Sequence, residues 1–163
     1  MSIKVLKAGF QDLIQDMGRF GNTHMGISPS GAADNISLRI GNLLLDNDIN
    51  DPGIEITLFG GSYYFNKDAI IVLSGSDFSS TIDGKIISFY KPLSVKTGQT
   101  LSISQTTDGA RCYLCIKGGF QVPPTLNSTS THILSKTGGF DGRSLKKKDE
   151  ILFSNSNNKN FYK

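Results

Sequence analysis

Between Ile3 and Ser154 the chain is cut into short β-type runs, separated mostly by Gly and Asp, and this punctuation restricts its fold more than any other feature. Ile3–Leu6 interleaves apolar residues with Lys. Ala69–Gly75, AIIVLSG, is a continuous apolar run of the kind that forms a buried strand. In STIDGKII the pair Asp83-Gly84 stands between β-formers and supplies the positive φ of a two-residue hairpin turn. IEITLF, followed by Gly60-Gly61 and YYF, predicts a second hairpin, and LSVKTGQTLSIS predicts another strand pair around Gly98. ARCYLCIKGG and EILFS complete the set. Short strands at this spacing fit a mainly β sandwich or barrel, and no strand–helix rhythm supports a parallel sheet.

One segment departs from this pattern. In GISPSGAADNISLRIGNLL, Gly26 to Leu44, the residues Ile36, Ile40, Leu43 and Leu44 recur at helical spacing. The spacing predicts one main helix starting near Ser30 or Gly31 and ending near Leu45, with Ser30 as N-cap and Asp34 in the first turns. A helix start carries free N–H groups and partial positive charge, and Gly26 and Gly31 would let a carboxylate or phosphate approach them. The plainer reading is a capped helix, with Gly31 and Ala32 packed on the barrel. Upstream, QDMGRFG holds Arg19, which could clamp an anion through two N–H groups. Its plainer reading is a surface pair with Asp16, worth ~0–1 kcal/mol.

Length and charge narrow the rest. At 163 residues the chain suits one domain, read as 1–154 with a polar tail over 155–163. A net charge of +3 is too mild to indicate nucleic acid, and Lys146–Lys148 runs into Asp149 and Glu150 as a solvated turn. No apolar stretch approaches the ~20 residues of a membrane span, and the start lacks a signal core, so cytoplasm is the default. Cys112 and Cys115 are three apart in a β-run, which turns them to opposite faces and favours packing over redox or metal chemistry. His24 and His132 lie in polar loops; His24, next to the Gly26–Gly31 segment, could serve as a base, with a plain surface histidine as its other reading, and no spacing supports zinc. Asn127–Thr129 matches a glycosylation triplet that means little without a secretory signal, and Pro123-Pro124 reads as a rigid loop.

Taken in order, VLKAGFQDLIQDMGRFGNTHMGISPSGAADNISLRIGNLLLDN, PGIEITLFGG, IVLSGSDFSSTIDGK and YLCIKGGFQVPPTLNSTST resemble the N-terminal half of the biotin-dependent carboxyltransferase family. That family includes the C-type subunit of 5-oxoprolinase, proteins once called allophanate hydrolase subunit 2, and the carboxyltransferase region of urea carboxylase. Phe20 stands where the family usually shows Pro. The resemblance implies a cyclophilin-like β-barrel with a second barrel-like half following it. It implies work in an ATP-dependent 5-oxoprolinase complex that opens 5-oxo-L-proline to L-glutamate beside a partner resembling the B-type subunit of 5-oxoprolinase. ATP would be bound by a partner, since the chain has no G-x-x-x-x-G-K-[ST]. Carboxyl transfer from carboxybiotin to urea or a related amide, and a non-catalytic module that binds a kinase inhibitor, stay open. The site the resemblance implies uses Asp34, Ser30 and Arg19 as catalytic residues and Gly31, Asn42, Glu55 and His24 as substrate contacts. Asn42 and Glu55 also have purely structural readings, as a backbone-bonding amide and a paired acid. No directly bound cofactor or metal is expected.

Overall fold

The computed structural model describes residues 1–154; the tail read at 155–163 lies outside them. Among the described residues the chain is mainly β, with two antiparallel sheets and one α-helix. The six-stranded sheet runs, in spatial order, β11 (Glu150–Leu152), β1 (Ser2–Lys7), β4 (Ser62–Phe65), β9 (Thr100–Ser102), β6 (Thr81–Ile82), β7 (Lys85–Ile86). The five-stranded sheet runs β2 (Gln11–Gln15), β3 (Gly53–Thr57), β10 (Arg111–Ile116), β5 (Ala69–Gly75), β8 (Leu93–Val95). A 3-10 turn covers Thr23–Met25, and α1 covers Asn35–Leu44.

Side chains alternate along each strand, so each strand of the five-stranded sheet can serve two layers. On β10, Cys112, Leu114 and Ile116 join the main core with Ile3, Val5, Tyr63 and Phe65 of the other sheet. Tyr113 and Cys115 point the opposite way and pack with Leu38 and Leu45 beneath α1. The two cysteines are therefore packing residues on opposite faces, both free and buried, and burial pushes the Cys115 thiol up to about 12. Ala69–Gly75 is the buried strand its composition predicts.

The Asp83-Gly84 hairpin forms as read, with Thr81 paired to Ile86 and positive φ at both turn residues. The other two strand pairs do not form. β3 pairs with β2 and β10, whereas β4 pairs with β1 and β9 in the opposite sheet. Leu58 at φ 59° and the Gly60-Gly61 step carry the chain around a corner between sheets. There is no room for a side chain there: a Cβ on Gly60 would lie 2.6 Å from Ile103. Likewise β8 joins β5 while β9 joins β4 and β6, so Gly98 marks a second change of sheet.

The helix also differs from its sequence reading. It starts at Asn35, not near Ser30, because Ser30 (φ 52°) and Gly31 (φ 98°) both lie in the left-handed region, which no helix continues through. Asp34 is the N-cap: its carboxylate accepts from the Ser37 N–H at 3.0 Å and the Ser37 hydroxyl at 2.5 Å. The inward face is Ser37, Leu38, Gly41 and Asn42. Ile36, Ile40, Leu43 and Leu44, the stripe that marks this segment as amphipathic, face outward. Gly41 sets this choice, since a Cβ there would sit 2.7 Å from both Cys115 Sγ and Ser74 Oγ.

Candidate functional site

Where β2 ends, three segments distant in sequence meet beside the start of α1. Residues 16–19 and 29–32 lie backbone against backbone: the Arg19 N–H donates to Pro29 O at 2.7 Å, and the Ala32 N–H to Asp16 O at 2.9 Å. Only glycine permits this approach, because a Cβ on Gly18 would lie 2.8 Å from Pro29 O and one on Gly31 2.9 Å from Met17 O. The third segment, 125–131, joins the free edge of β2, with the Thr131 N–H on Ile14 O at 3.0 Å.

Asp16 organises this corner. One oxygen accepts from the Gly18 N–H (2.7 Å), the Ser128 hydroxyl (2.7 Å) and the Ser130 hydroxyl (2.5 Å). The other accepts from the Thr129 N–H (2.6 Å) and hydroxyl (3.0 Å). Burial alone would raise the carboxyl; the donors from Ser130, Ser128, Thr129 and Gly18 outweigh it and hold the group below its ordinary value. Arg19, 2% exposed, grips the same segment through Nε on Thr125 O (3.4 Å) and Nη2 on Ser130 O. The surface Asp16–Arg19 pair considered from sequence is absent among the described residues: both side chains are buried and both bind 125–130. Ser128 and Thr129 of the glycosylation triplet are interior residues here.

A second carboxylate fixes the approach to α1. Glu55, inward on the outer layer of β3, accepts from the Ala33 N–H and from the Tyr113 hydroxyl, each at 2.7 Å. Tyr113 Oη in turn accepts the Asp34 N–H at 2.7 Å. Arg111 Nε stands 3.6 Å from the other Glu55 oxygen. Burial, and then the charge of Glu55, push the Tyr113 phenol upward, so it stays protonated and donates. The residues Ala33 and Asp34 are thus held by β3 and β10, not by the helix they introduce.

Of the residues singled out in the sequence, Ser30, Gly31, Asp34, Arg19 and Glu55 come together at this corner. Ser30 Oγ is buried and has no hydrogen-bond partner among the described residues. Asn42 does not join them. It lies near the far end of α1, ~12 Å along the axis from Asp34, where it donates to Asp51 O at 2.8 Å and accepts from Asn47 Nδ2 at 3.1 Å. His24 sits exposed on the 3-10 turn. Tyr113, Arg111 and the hydroxyls of 128–130 are corner residues that the sequence reading misses, and Asp16 enters it only as a surface partner for Arg19. The available signal is the serine–threonine run NSTST, which offers a hydroxyl-rich lining to any buried acid. No group of three or more His, Cys, Asp or Glu side chains among the described residues could hold a metal ion. Two surface hollows, of about 200 and 500 Å3, lie elsewhere, against Val122 and Phe140 and against Lys7 and Ser62.

Chemically, the corner presents the first turn of α1, whose N–H groups at Asn35 and Ile36 have no intrahelical acceptor. That turn is capped by a half-buried carboxylate and backed by two charge-bearing networks. The architecture is that of a mainly β, barrel-like domain with one helix laid over its five-stranded sheet. The chain belongs to the carboxyltransferase domain family, subdomains A and B, whose pattern matches residues 25–162. It is 42% identical to the urea amidolyase of Saccharomyces cerevisiae over 160 residues, 98% of this chain and 9% of that one. It is 38% identical to the C-type subunits of 5-oxoprolinase from Haemophilus influenzae and Escherichia coli, in each case over 94% of this chain and 50% of the relative. The crystal structure of the K. lactis urea amidolyase superposes with a TM-score of 0.92 at 37% identity, over 93% of this chain and 9% of that one. The chain thus spans half the length of its 5-oxoprolinase relatives and a small part of the amidolyases.

Proposed function

We propose that this chain is the first half of a carboxyltransferase-type subunit in an ATP-dependent 5-oxoprolinase complex, hydrolysing 5-oxo-L-proline to L-glutamate with partner subunits. The observation that carries this reading is the match to the 5-oxoprolinase relatives over 94% of the chain, at half the length of proteins that are themselves named subunits. In this reading the complex is cytoplasmic, a partner of the B type stands beside the chain, and ATP is used by a partner. Ser30, Gly31 and Asp34 present the start of α1 to the anionic substrate, with His24 on the rim. Asp34 orients the attacking group, Glu55 and Arg19 hold that loop in place, and Asn42 braces the other end of the helix. The higher identity to urea amidolyase, 42% over 98% of the chain, favours a second reading in which the same corner serves carboxyl transfer from carboxybiotin to urea.

The test is to tag the chain in its own cell, purify the assembly it enters, and assay it. ATP-dependent release of glutamate from 5-oxoproline is the expected result. Urea-dependent turnover of carboxybiotin without glutamate release would replace the first reading with the second, and neither activity would overturn both. In the active assembly, Asp34→Ala should abolish turnover while the fold survives; retained turnover removes Asp34 from the site.

A further inference from the structure

Arg19 does not supply the anion clamp that its place in QDMGRFG suggests. Its side chain is 2% exposed and committed to Thr125 O and Ser130 O. Arg111 is placed differently. It is the cross-strand neighbour of Thr57 and stands two residues before Tyr113, on the same face of β10. The helix runs away from it: the Asp34 N–H is held at Tyr113 Oη, and Asn47, just past the helix, reaches Ile116 O at 2.8 Å. Arg111 therefore lies about 7 Å beyond Tyr113 along the strand, past the start of α1. The free N–H groups of the first helical turn point toward that end.

This arginine is not a finished structural pair. Its Nε stands 3.6 Å from Glu55, well beyond the ~2.7–2.9 Å of a charge-assisted hydrogen bond. Nη1 makes one long bond, 3.4 Å, to the neighbouring Ala110 O, and Nη2 meets no acceptor among the described residues. The side chain is 32% exposed. In the same row Thr57 is buried, and both Thr57 Oγ1 and Arg111 Nε are buried atoms with no hydrogen-bond partner among the described residues. The row thus holds hydrogen-bonding capacity that the described residues do not use.

We propose that Arg111 binds the carboxylate of 5-oxo-L-proline through its Nη edge, with the lactam ring toward the start of α1 and Asp34. The assignment rests on the 5-oxoprolinase reading for the identity of the ligand. An α-carboxyl of this kind is ionised at neutral pH, and a guanidinium offers it planar, charge-assisted donors. Glu55 faces the Nε edge and leaves the Nη edge open. Urea, the substrate of the second reading, has no charge for Arg111 to meet. Arg111 is then the residue that selects an acidic substrate over a neutral one.

The test compares 5-oxo-L-proline with its carboxamide, which keeps the ring and lacks the charge, in the purified native assembly. Binding is measured by calorimetry without ATP, and turnover of 5-oxo-L-proline with ATP. Arg111→Gln should weaken binding of 5-oxo-L-proline roughly 10–100-fold and raise its KM alike, while binding of the carboxamide stays within about threefold. Arg111→Lys, which keeps a cation opposite Glu55, should show a smaller loss, again confined to the carboxylate. It decides the matter if the glutamine variant fails to assemble. Equal losses for the two ligands would make Arg111 a structural partner of Glu55 and overturn the proposal, as would undiminished binding of 5-oxo-L-proline. Arg111-dependent binding without glutamate release would retire the reaction and keep the site. Glutamate release with an unchanged KM in Arg111→Gln would keep the reaction and remove Arg111 from it. No binding of either ligand to the parent assembly would overturn both.

Discussion

Asp12 and Asp16 lie four residues apart, one within β2 and one just past its end, both buried, yet the fold treats them in opposite ways. Asp12 faces the core between the sheets. One of its oxygens accepts from the Gly9 N–H and the Tyr63 hydroxyl, each at 2.8 Å; the other has no partner among the described residues. Burial dominates, and its carboxyl is raised above the ordinary value despite those two donors. Asp16 has five donors, and its carboxyl is lowered. Burial disfavours the charge at both; the number of donors decides the sign. The interior of this barrel tolerates a carboxylate, whereas the corner beside α1 is built around one.

The largest expected effect follows from that contrast. Asp16→Ala strips the acceptor from two backbone N–H groups and three hydroxyls and should cost about 3–4 kcal/mol, read as a lowered midpoint in urea unfolding. A loss under ~1 kcal/mol would mean that the 125–131 segment is held by other means. Asp16→Asn keeps the shape and removes the charge, and its pH profile carries the sharper information. The lowered carboxyl adds stability above its unfolded value of ~3.9, and this is lost as pH falls through the folded value. Asp16→Asn should therefore compare worst with the parent near neutral pH and approach it in acid. Arg19→Lys comes next, at about 2–3 kcal/mol, because Thr125 O and Ser130 O are met by two different nitrogens of a planar fork that one ammonium cannot imitate. Equal stability of the lysine variant would reduce Arg19 to a point charge.

The same corner shows what can be read from the chain in advance. The Asp83-Gly84 hairpin is legible because everything that forms it lies within six residues. Gly60-Gly61 and Gly98 mislead because a corner between sheets uses the same residues as a hairpin, and the difference lies in partners such as Ile103 and Phe65 that are distant in sequence. The helix is found by its period, yet its start and its buried face are not. A left-handed Ser30 leaves no compositional mark, and the small Gly41 outvotes four larger side chains in choosing which face packs. Asp16 and Ser130 are 114 positions apart, so their bond cannot be seen at all. Resemblance supplies the family; only the fold shows that the Arg19 N–H and the Glu55 carboxylate brace the loop that carries Ser30 and Asp34, while the Arg19 side chain holds 125–130.

Asp34 tests whether that loop depends on its own cap or on the network behind it. Asp34→Ala removes both bonds to Ser37 and should cost about 1 kcal/mol, the ordinary value of an N-cap, because Glu55 and Tyr113 still hold the backbone N–H groups of residues 33 and 34. A loss of several kcal/mol in thermal or urea unfolding would show that the cap organises the network instead of decorating it.

The smallest effect is expected at Asp12, and its direction with pH is the most informative. A carboxyl raised on folding opposes stability once it ionises: the penalty is absent below the unfolded value of ~3.9 and complete above the folded value. Asp12→Asn has no such ionisation. Its oxygen can accept from Gly9 and Tyr63 as the carboxylate does, while its amide replaces the unpartnered oxygen and brings two donors with no acceptor of their own. These changes oppose one another, so the net difference at neutral pH should stay within about 1 kcal/mol. Across an acid titration the variant should gain on the parent as pH rises from ~3 toward neutrality, the reverse of Asp16→Asn. Urea unfolding of both asparagine variants over that range should give two difference curves of opposite slope. Parallel curves would mean that donor count does not set the sign at these two sites, and that the surroundings of Asp12 are closer to those of Asp16 than its bare oxygen indicates.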